Sequence, residues 1–457
     1  MSRKLLSLVT SSVALTMILL STANGGSISE GLMSKLEGGQ KSDAILELPS
    51  IFGNVISSNP LLNMMSGFAK VNMMTSLLKQ ATSASQAPFM SVISSLGLAE
   101  SATPFWISND INLKNVDMES IQTLAALPGV FTLREPAVVK VNPVGPGSNV
   151  DSETLHRASR QTQAQWGVSK IQAPAVWSAR TRGANVVVAG IDTGVYREHE
   201  SLKDNYGGKW HDPVYGNSSP TDGQGHGTHT MGTIVGRSYG IGVAPDAKWI
   251  ACRGLDNNGR GSESWLKSCG QWVLQQKPHV VSNSWGGGQG ANWYNDVINA
   301  WRTAGIIPVF SIGNSGSQCR TANSPGDQLP GSLISVGSTK SDDTMSSFSS
   351  RGASSSGALK PEVSAPGDQI PSAYYTGTSD YVYLSGTSMA APHVAGAVAL
   401  MLSANPTWKY ADVYNALTGQ SDKPATNDLS CGKPSSSTYP NNAYGYGRIN
   451  VKRALGL

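Results

Sequence analysis

Residues 386–402 form a run of small and apolar side chains, broken only by Thr387, Ser388, Pro392 and His393. A helix with no polar face must be covered on most of its sides, so the fold has to supply layers around it. Ala390, Ala391, Ala395, Gly396 and Ala397 let those layers approach closely. Gly386 and Thr387 read as the turn and cap before the helix, and Pro392 lies near its start, where a missing N–H costs least. Ser388 is thereby predicted in the first turn of a buried helix. Its N–H lacks an intrahelical acceptor there, and the helix dipole favours developing negative charge. Taken alone, that is an ordinary serine at a helix start.

The layers are legible upstream. Short apolar runs occur at residues 185–191, 247–252, 279–282, 306–311 and 333–337, with helical stretches at 264–276 and 293–304 between them. Apolar strands alternating with helices predict an α/β domain with a central parallel sheet and helices on both faces. In such sheets functional residues gather beyond the carboxyl ends of strands, where Asp192 and Asn314 fall.

Composition excludes several classes. Charged residues make up 14% of the 457, against about 25% in an average domain, and the 50 glycines exceed the usual share of about 7%. That suits tight turns around a compact core and not disorder. A formal net charge of +4 is too small to imply nucleic acid. Met1-Ser2-Arg3-Lys4, the mostly apolar residues 5–20 and the small residues Ser21-Thr22-Ala23 have the layout of a signal peptide, residues 1–23. No other segment approaches the length of a membrane span, so no membrane contact is expected after its removal. Cys252, Cys269, Cys319 and Cys431 contain no Cys-x-x-Cys pair, which argues against zinc. Two disulfides are expected in a secreted chain; three connectivities are open, and proximity in sequence favours Cys252–Cys269 with Cys319–Cys431. Asn217-Ser218-Ser219 is a glycosylation sequon, relevant only in a host that uses it.

Three segments carry candidates for chemistry. They are Ile191-Asp192-Thr193-Gly194, the stretch 222–233 around His226, and the start of the Ser388 helix. A serine hydroxyl is a poor nucleophile until a base takes its proton, a histidine supplies that base near neutral pH, and a carboxylate fixes the histidine's tautomer. These segments resemble the subtilisin family of serine proteases. Asp192-Thr193-Gly194-Val195 resembles its aspartate motif, Gly225-His226-Gly227-Thr228-His229 its histidine motif and residues 386–393 its serine motif. Ile312-Gly313-Asn314-Ser315-Gly316 is similar to the segment whose asparagine donates to the oxyanion, and residues 445–450 to the closing stretch. The resemblance covers about residue 166 to the C-terminus.

The resemblance implies a three-layer subtilisin-like domain and a secreted endopeptidase that acts on proteins or peptides as a monomer. It implies Ser388 as nucleophile, His226 as base, Asp192 as its orienter and Asn314 in the oxyanion hole. Ser284, Trp285 and Gly286 with Ser311, Ile312 and Gly313 are implied as the two walls of the primary specificity pocket. Those walls are small or apolar, so an apolar or aromatic residue before the cut is expected. His229 and His393 are read as packing residues and Asp222 as a turn residue. No cofactor is expected for catalysis. A structural calcium is allowed but not assigned, and residues 255–259 read as a turn rather than as its site.

The family also implies a propeptide, an intramolecular inhibitor, over residues 103–141, with 127–130 its most recognisable part. Residues 24–102 are an N-terminal extension without an assigned role, read as amphipathic helices with a small core of their own. Residues 142–160 are read as a linker and 161–457 as the catalytic domain. Self-cleavage is expected between about 141 and 166, with a mature start near Gln161 favoured by the resemblance. Two rivals carry less. Asp192-Thr193-Gly194 is also the aspartic-protease signature, but that chemistry needs a second such motif, which the chain lacks. A binding scaffold on the same fold would be signalled by lost triad residues. A lipase elbow, Gly-x-Ser-x-Gly, does not fit the surroundings of Ser388, and the glycines around His226 lack the Lys-Ser/Thr of a phosphate loop.

Overall fold

Apolar runs that alternate with helices fold here as anticipated, into a sheet whose every strand pair is parallel. The computed structural model describes residues 25–141, 147–160, 163–425, 431 and 438–457. The expected signal segment and Gln161 lie outside the described residues. The chain divides into two compact units, residues 1–64 with 73–136 and residues 65–72 with 137–457.

The first unit is one α+β structure. Its strands are β1 (Ser27–Ile28), β2 (Ser42–Glu47), β3 (Ala102–Phe105), β4 (Asp110–Val116) and β5 (Thr132–Arg134), in the order β1-β5-β2-β4-β3. Helices α1 (Glu30–Leu36), α2 (Gly67–Ser95), from Met73 onward, and α3 (Met118–Ala125) accompany them. This corrects the expected division at residue 102. β2 lies between β5 and β4, and Leu32, Leu36, Ala44 and Leu46 share one core with Ile111, Leu113, Ile121 and Leu133. The extension and the propeptide-like segment therefore cannot bury their apolar faces separately.

In the second unit the strands are β6 (Val138–Lys140), β7 (Ser148–Val150), β8 (Val187–Asp192), β9 (Tyr206–His211), β10 (Lys248–Arg253), β11 (Arg260–Ser262), β12 (Val280–Asn283), β13 (Ile307–Ser311), β14 (Ile334–Thr339), β15 (Val363–Pro366), β16 (Ile370–Ala373) and β17 (Tyr381–Leu384). The helices that matter for the site are α4 (Ser152–Ser159), α5 (His226–Val235), α6 (Glu263–Gln276), α7 (Asn295–Ala304) and α8 (Thr387–Ala404). The main sheet runs β15-β14-β13-β12-β8-β10-β9. Period-two alternation divides its side chains between two layers. Val188, Trp249, Val280, Val309 and Val336 share a core with Met231 of α5 and Ala390, Val394 and Val398 of α8. Their neighbours in sequence serve the other face. Cys252 is bonded to Cys269 of α6, and Phe310 packs edge-on to Tyr294 beside α7. The α8 run is buried from Thr387 to Leu402, as its composition requires. Among the described residues it is the one helix long and apolar enough to cross a membrane, and it is a core helix.

Both disulfides take the pairing favoured by proximity, Cys252–Cys269 and Cys319–Cys431, with Cα separations of 5.6 and 5.2 Å. The expected linker does not behave as an open tether. β7 pairs antiparallel with β17, Asp151 caps α4, and Val150 and Leu155 belong to the main core. Its polar composition reflects the outer side of α4, whereas Leu155 is wholly buried.

Candidate active site

Neighbouring strand ends assemble the site. β8 ends at Asp192, β12 leads into 284–286, and β13 leads into 312–314, so residues distant in sequence meet beyond the carboxyl edge of one sheet. His226 is the first residue of α5 and Ser388 the second of α8, and these two helices pack against each other. Gly227 lets α5 approach β8: a Cβ there would lie 2.1 Å from the Gly194 carbonyl oxygen.

His226 Nδ1 donates to Asp192 Oδ1 at 2.8 Å, and both side chains are buried. The same oxygen accepts the Thr193 N–H at 2.8 Å, which fixes the carboxylate. His226 Nε2 has no hydrogen-bond partner among the described residues. It is a buried basic nitrogen whose opposite nitrogen is held by a carboxylate, the arrangement that lets an imidazole accept a proton and remain stabilised.

Asp222, read in sequence as a turn residue, does more. One oxygen accepts the N–H groups of Gln224 and Gly225, and the other accepts the N–H and hydroxyl of Thr228. It ties the turn before α5 to the first turn of the helix and so sets the position of His226. The Asp-Gly-x-Gly spacing ahead of the histidine is the signal that could have revealed it.

Ser388 Oγ donates to the Ser284 carbonyl at 3.1 Å, and Ser284 Oγ donates to the Ser388 carbonyl at 3.0 Å. The serine therefore rests on β12's extension and is not bonded to His226; such bonds often tighten only when substrate binds. Asn314 Oδ1 accepts both the N–H and the hydroxyl of Thr387 at 2.9 Å. With the carbonyl end so engaged, the orientation of the carboxamide is set and its Nδ2 is the donor end. Asn314, Thr387 and Ser388 border one small cavity with 284–286, Ser311 and Gly313. Thr387, read in sequence with Gly386 as the turn and cap, is the first residue of α8, and its side chain is engaged by a residue 73 positions away.

Trp285 contributes only backbone to that wall. Its ring is buried against Trp293, Tyr294 and Phe310. Ile312 is likewise fully buried. His229 and His393 pack, as anticipated. His229 Nε2 donates to the Ile370 carbonyl, and burial pushes its pKa down to about 3. His393 Nδ1 donates to the Met389 carbonyl, and burial pushes it down to about 4. Neither is shaped for proton transfer. Asp256 Oδ1 accepts the N–H groups of Asn258 and Arg260, so residues 255–259 form a turn.

A strand of the chain's own lies beside this site. β6 pairs antiparallel with β11, Lys140 and Gly286 exchange N–H···O bonds of 3.2 and 3.3 Å, and the Val141 N–H donates to the Gly259 carbonyl at 2.9 Å. The segment is held between two edges by main-chain bonds, a mode of peptide binding that reads little sequence.

Comparison with known proteins agrees with this geometry. The sequence model of the subtilase family matches residues 183–447. The chain is 37% identical to bacillopeptidase F of Bacillus subtilis (strain 168) over 331 residues, which is 64% of this chain but only 22% of that protein. It is 36% identical to subtilisin E of the same organism over 309 residues, 66% of this chain and 74% of the relative. It is 37% identical to subtilisin DY of Bacillus licheniformis over 292 residues, 63% of this chain and 97% of the relative. A parallel sheet with a buried Asp–His pair and a serine-bearing helix at its carboxyl edge, together with these matches, places the chain in the subtilase family of serine endopeptidases.

Proposed function

We propose that the chain is a secreted protease made as a self-processing zymogen, with Ser388 as nucleophile, His226 as base and Asp192 as the charge that orients His226. The observation that carries the reading is the extended segment 138–141 bound between β11 and Gly286, because it marks the groove as one that holds a peptide backbone. In the proposed reaction Ser388 Oγ attacks the peptide carbonyl while its proton passes to His226 Nε2. The tetrahedral oxyanion is stabilised by the Ser388 N–H and by Asn314 Nδ2. His226 then protonates the leaving amine, and water repeats the sequence on the acyl-enzyme. The chemistry asks for no cofactor. Secretion is supported by the N-terminal stretch and by two disulfides, which persist in oxidising compartments.

Asn314→Ala is expected to lower kcat by about 10²–10³ with a smaller change in KM; the measured precedent for such a loss is subtilisin, a relative of this chain. Because Asn314 also accepts from Thr387 at the start of α8, a stability loss of about 1 kcal/mol should accompany it in urea titrations. An unchanged kcat would remove Asn314 from the oxyanion hole.

The segment 138–141 acts in this reading as the inhibitor's tail. The maturation cut is assigned to residues 141–147, upstream of the start near Gln161 that the family resemblance favours. The reason is burial: a cut near residue 161 would detach β7 and α4 from a core that contains Val150 and Leu155. Intact mass and N-terminal sequencing of secreted wild type test this. The expected mature chain begins within 142–148 and keeps α4, while Ser388→Ala stays uncut. A mature start at 160–163 would overturn the assigned cut, and processing of Ser388→Ala would overturn self-cleavage.

A further inference from the structure

We propose that Asn257 is a positioning residue of the groove: anchored by Arg253 and Tyr215, it holds the Gly259 carbonyl where the main-chain N–H of a bound peptide can donate to it. The inference rests on the peptidase reading above.

The Gly259 carbonyl accepts the Val141 N–H of the chain's own strand at 2.9 Å. Glycine permits that approach: its φ is +71°, and a Cβ there would lie 2.4 Å from Val141 Cγ2. What fixes the carbonyl is less local. The bonds of Asp256 Oδ1 close the turn 255–259 on itself, and Asn257 and Asn258 at its tip are exposed. An exposed tip that presents an acceptor at a set place needs a tie to the body of the domain. Asn257 supplies it at three points. Its Oδ1 accepts from Arg253 Nη2, its N–H donates to Tyr215 Oη at 3.0 Å, and its carboxamide lies against Gly223, where a Cβ would come within 2.2 Å of Oδ1.

Both anchors are themselves fixed. Arg253 is the register partner of Asp192 between β10 and β8 and follows Cys252, which is bonded to Cys269. Its side chain is buried, its guanidinium lies 4.5 Å from the centroid of the Tyr215 ring, and Nη1 lies 3.7 Å from Asp212 Oδ2. Asp212 Oδ1 accepts the N–H groups of Val214 and Tyr215, which ties the loop that carries the tyrosine to the same buried charge pair. A buried guanidinium does not give up an acceptor without cost. Asn257 is therefore held from the core side, and the Gly259 carbonyl two residues on is held with it. Tyr215 is half exposed, so its ring serves this anchor and not the core.

In a bound substrate the residue before the cut faces Ser284, whose carbonyl holds Ser388 Oγ. The antiparallel register that sets Lys140 opposite Gly286 makes the place of Val141 the one just before it. The test therefore uses two tetrapeptide p-nitroanilides that are identical except at the second residue before the cut, which donates its N–H in one and carries an ester oxygen in its place in the other. Mature wild type is expected to show kcat/KM about tenfold lower on the ester peptide. Asn257→Ala is expected to lower kcat/KM on the amide peptide by about tenfold and Tyr215→Phe by about fivefold, mainly through KM, the scale of one or two hydrogen bonds. The ester peptide has no N–H to misalign, so both variants should leave it within about threefold of wild type. Asn257→Asp keeps an oxygen for Arg253 and should recover most of the loss, and half-exposed Tyr215 guards against a folding defect at Asn257. Equal losses on both peptides, no loss on either, or a wild type indifferent to the ester overturn the proposal while leaving the peptidase reading intact. Failure of wild type to hydrolyse casein or to react with a sulfonyl fluoride overturns the peptidase reading and this proposal with it.

Discussion

Ser388→Ala is expected to lower kcat on a peptide substrate by about 10⁶, leaving only the residual acceleration that binding and the oxyanion donors provide. The scale comes from subtilisin, a relative of this chain, in which loss of the serine or of the histidine costs about 2 × 10⁶. That corresponds to roughly 8 to 9 kcal/mol of transition-state stabilisation. The structural cost is far smaller. The Ser388 hydroxyl donates to the Ser284 carbonyl, and a lost neutral hydrogen bond is worth about 1 kcal/mol. Activity and stability are therefore separable: kcat should collapse while the urea midpoint shifts slightly. His226→Ala should be equally inactive, and the double variant no worse than either single one, because a nucleophile without its base and a base without its nucleophile fail alike. Residual activity above about one hundredth of wild type in freshly purified Ser388→Ala would show that another group attacks the substrate.

Asp192→Ala is expected to reduce kcat by about 3 × 10⁴, again on the scale measured in subtilisin. Here stability should move as well, because Asp192 Oδ1 accepts from both His226 Nδ1 and the Thr193 N–H. Leaving buried donors without an acceptor costs about 1–3 kcal/mol each. Asp192→Asn separates the two effects. A carboxamide oxygen at the Oδ1 position still accepts from both donors, so the urea midpoint should recover. Its neutral group gives the imidazolium no counter-charge, so kcat should remain depressed by about 10⁴. An asparagine variant within tenfold of wild type would mean that Asp192 only holds the ring in place.

What could be read in advance follows from how local each signal is. Asp192, His226, Asn314 and Ser388 each sit inside a short motif, and each lies at a strand end or helix start that periodicity alone locates. The main sheet was legible because five of its strands are buried on both faces and so read as apolar runs. The first unit was not, because its sheet is built from distant pieces. Ser27 pairs with Thr132, and Leu46 lies between Ile111 and Leu133. No window of sequence contains both partners, and a two-residue strand has no period. Residues 147–160 misled through their polar composition, although two buried side chains, Val150 and Leu155, suffice to anchor them.

The position of α8 also dictates when the protease becomes dangerous to its maker. Asp192 leaves the ribosome nearly two hundred residues before Ser388 does, and His226 about 160 residues before it. At about 5–20 residues per second the pair is complete roughly 8 to 30 s before Ser388 is made. During that interval, a growing chain can hold a base and its carboxylate but no nucleophile. β6 and both edges that grip it, β11 and Gly286, are made before Ser388 emerges. The groove can therefore be plugged by the chain's own strand before α8 delivers the serine, and a truncated chain that ends short of α8 is harmless to its neighbours.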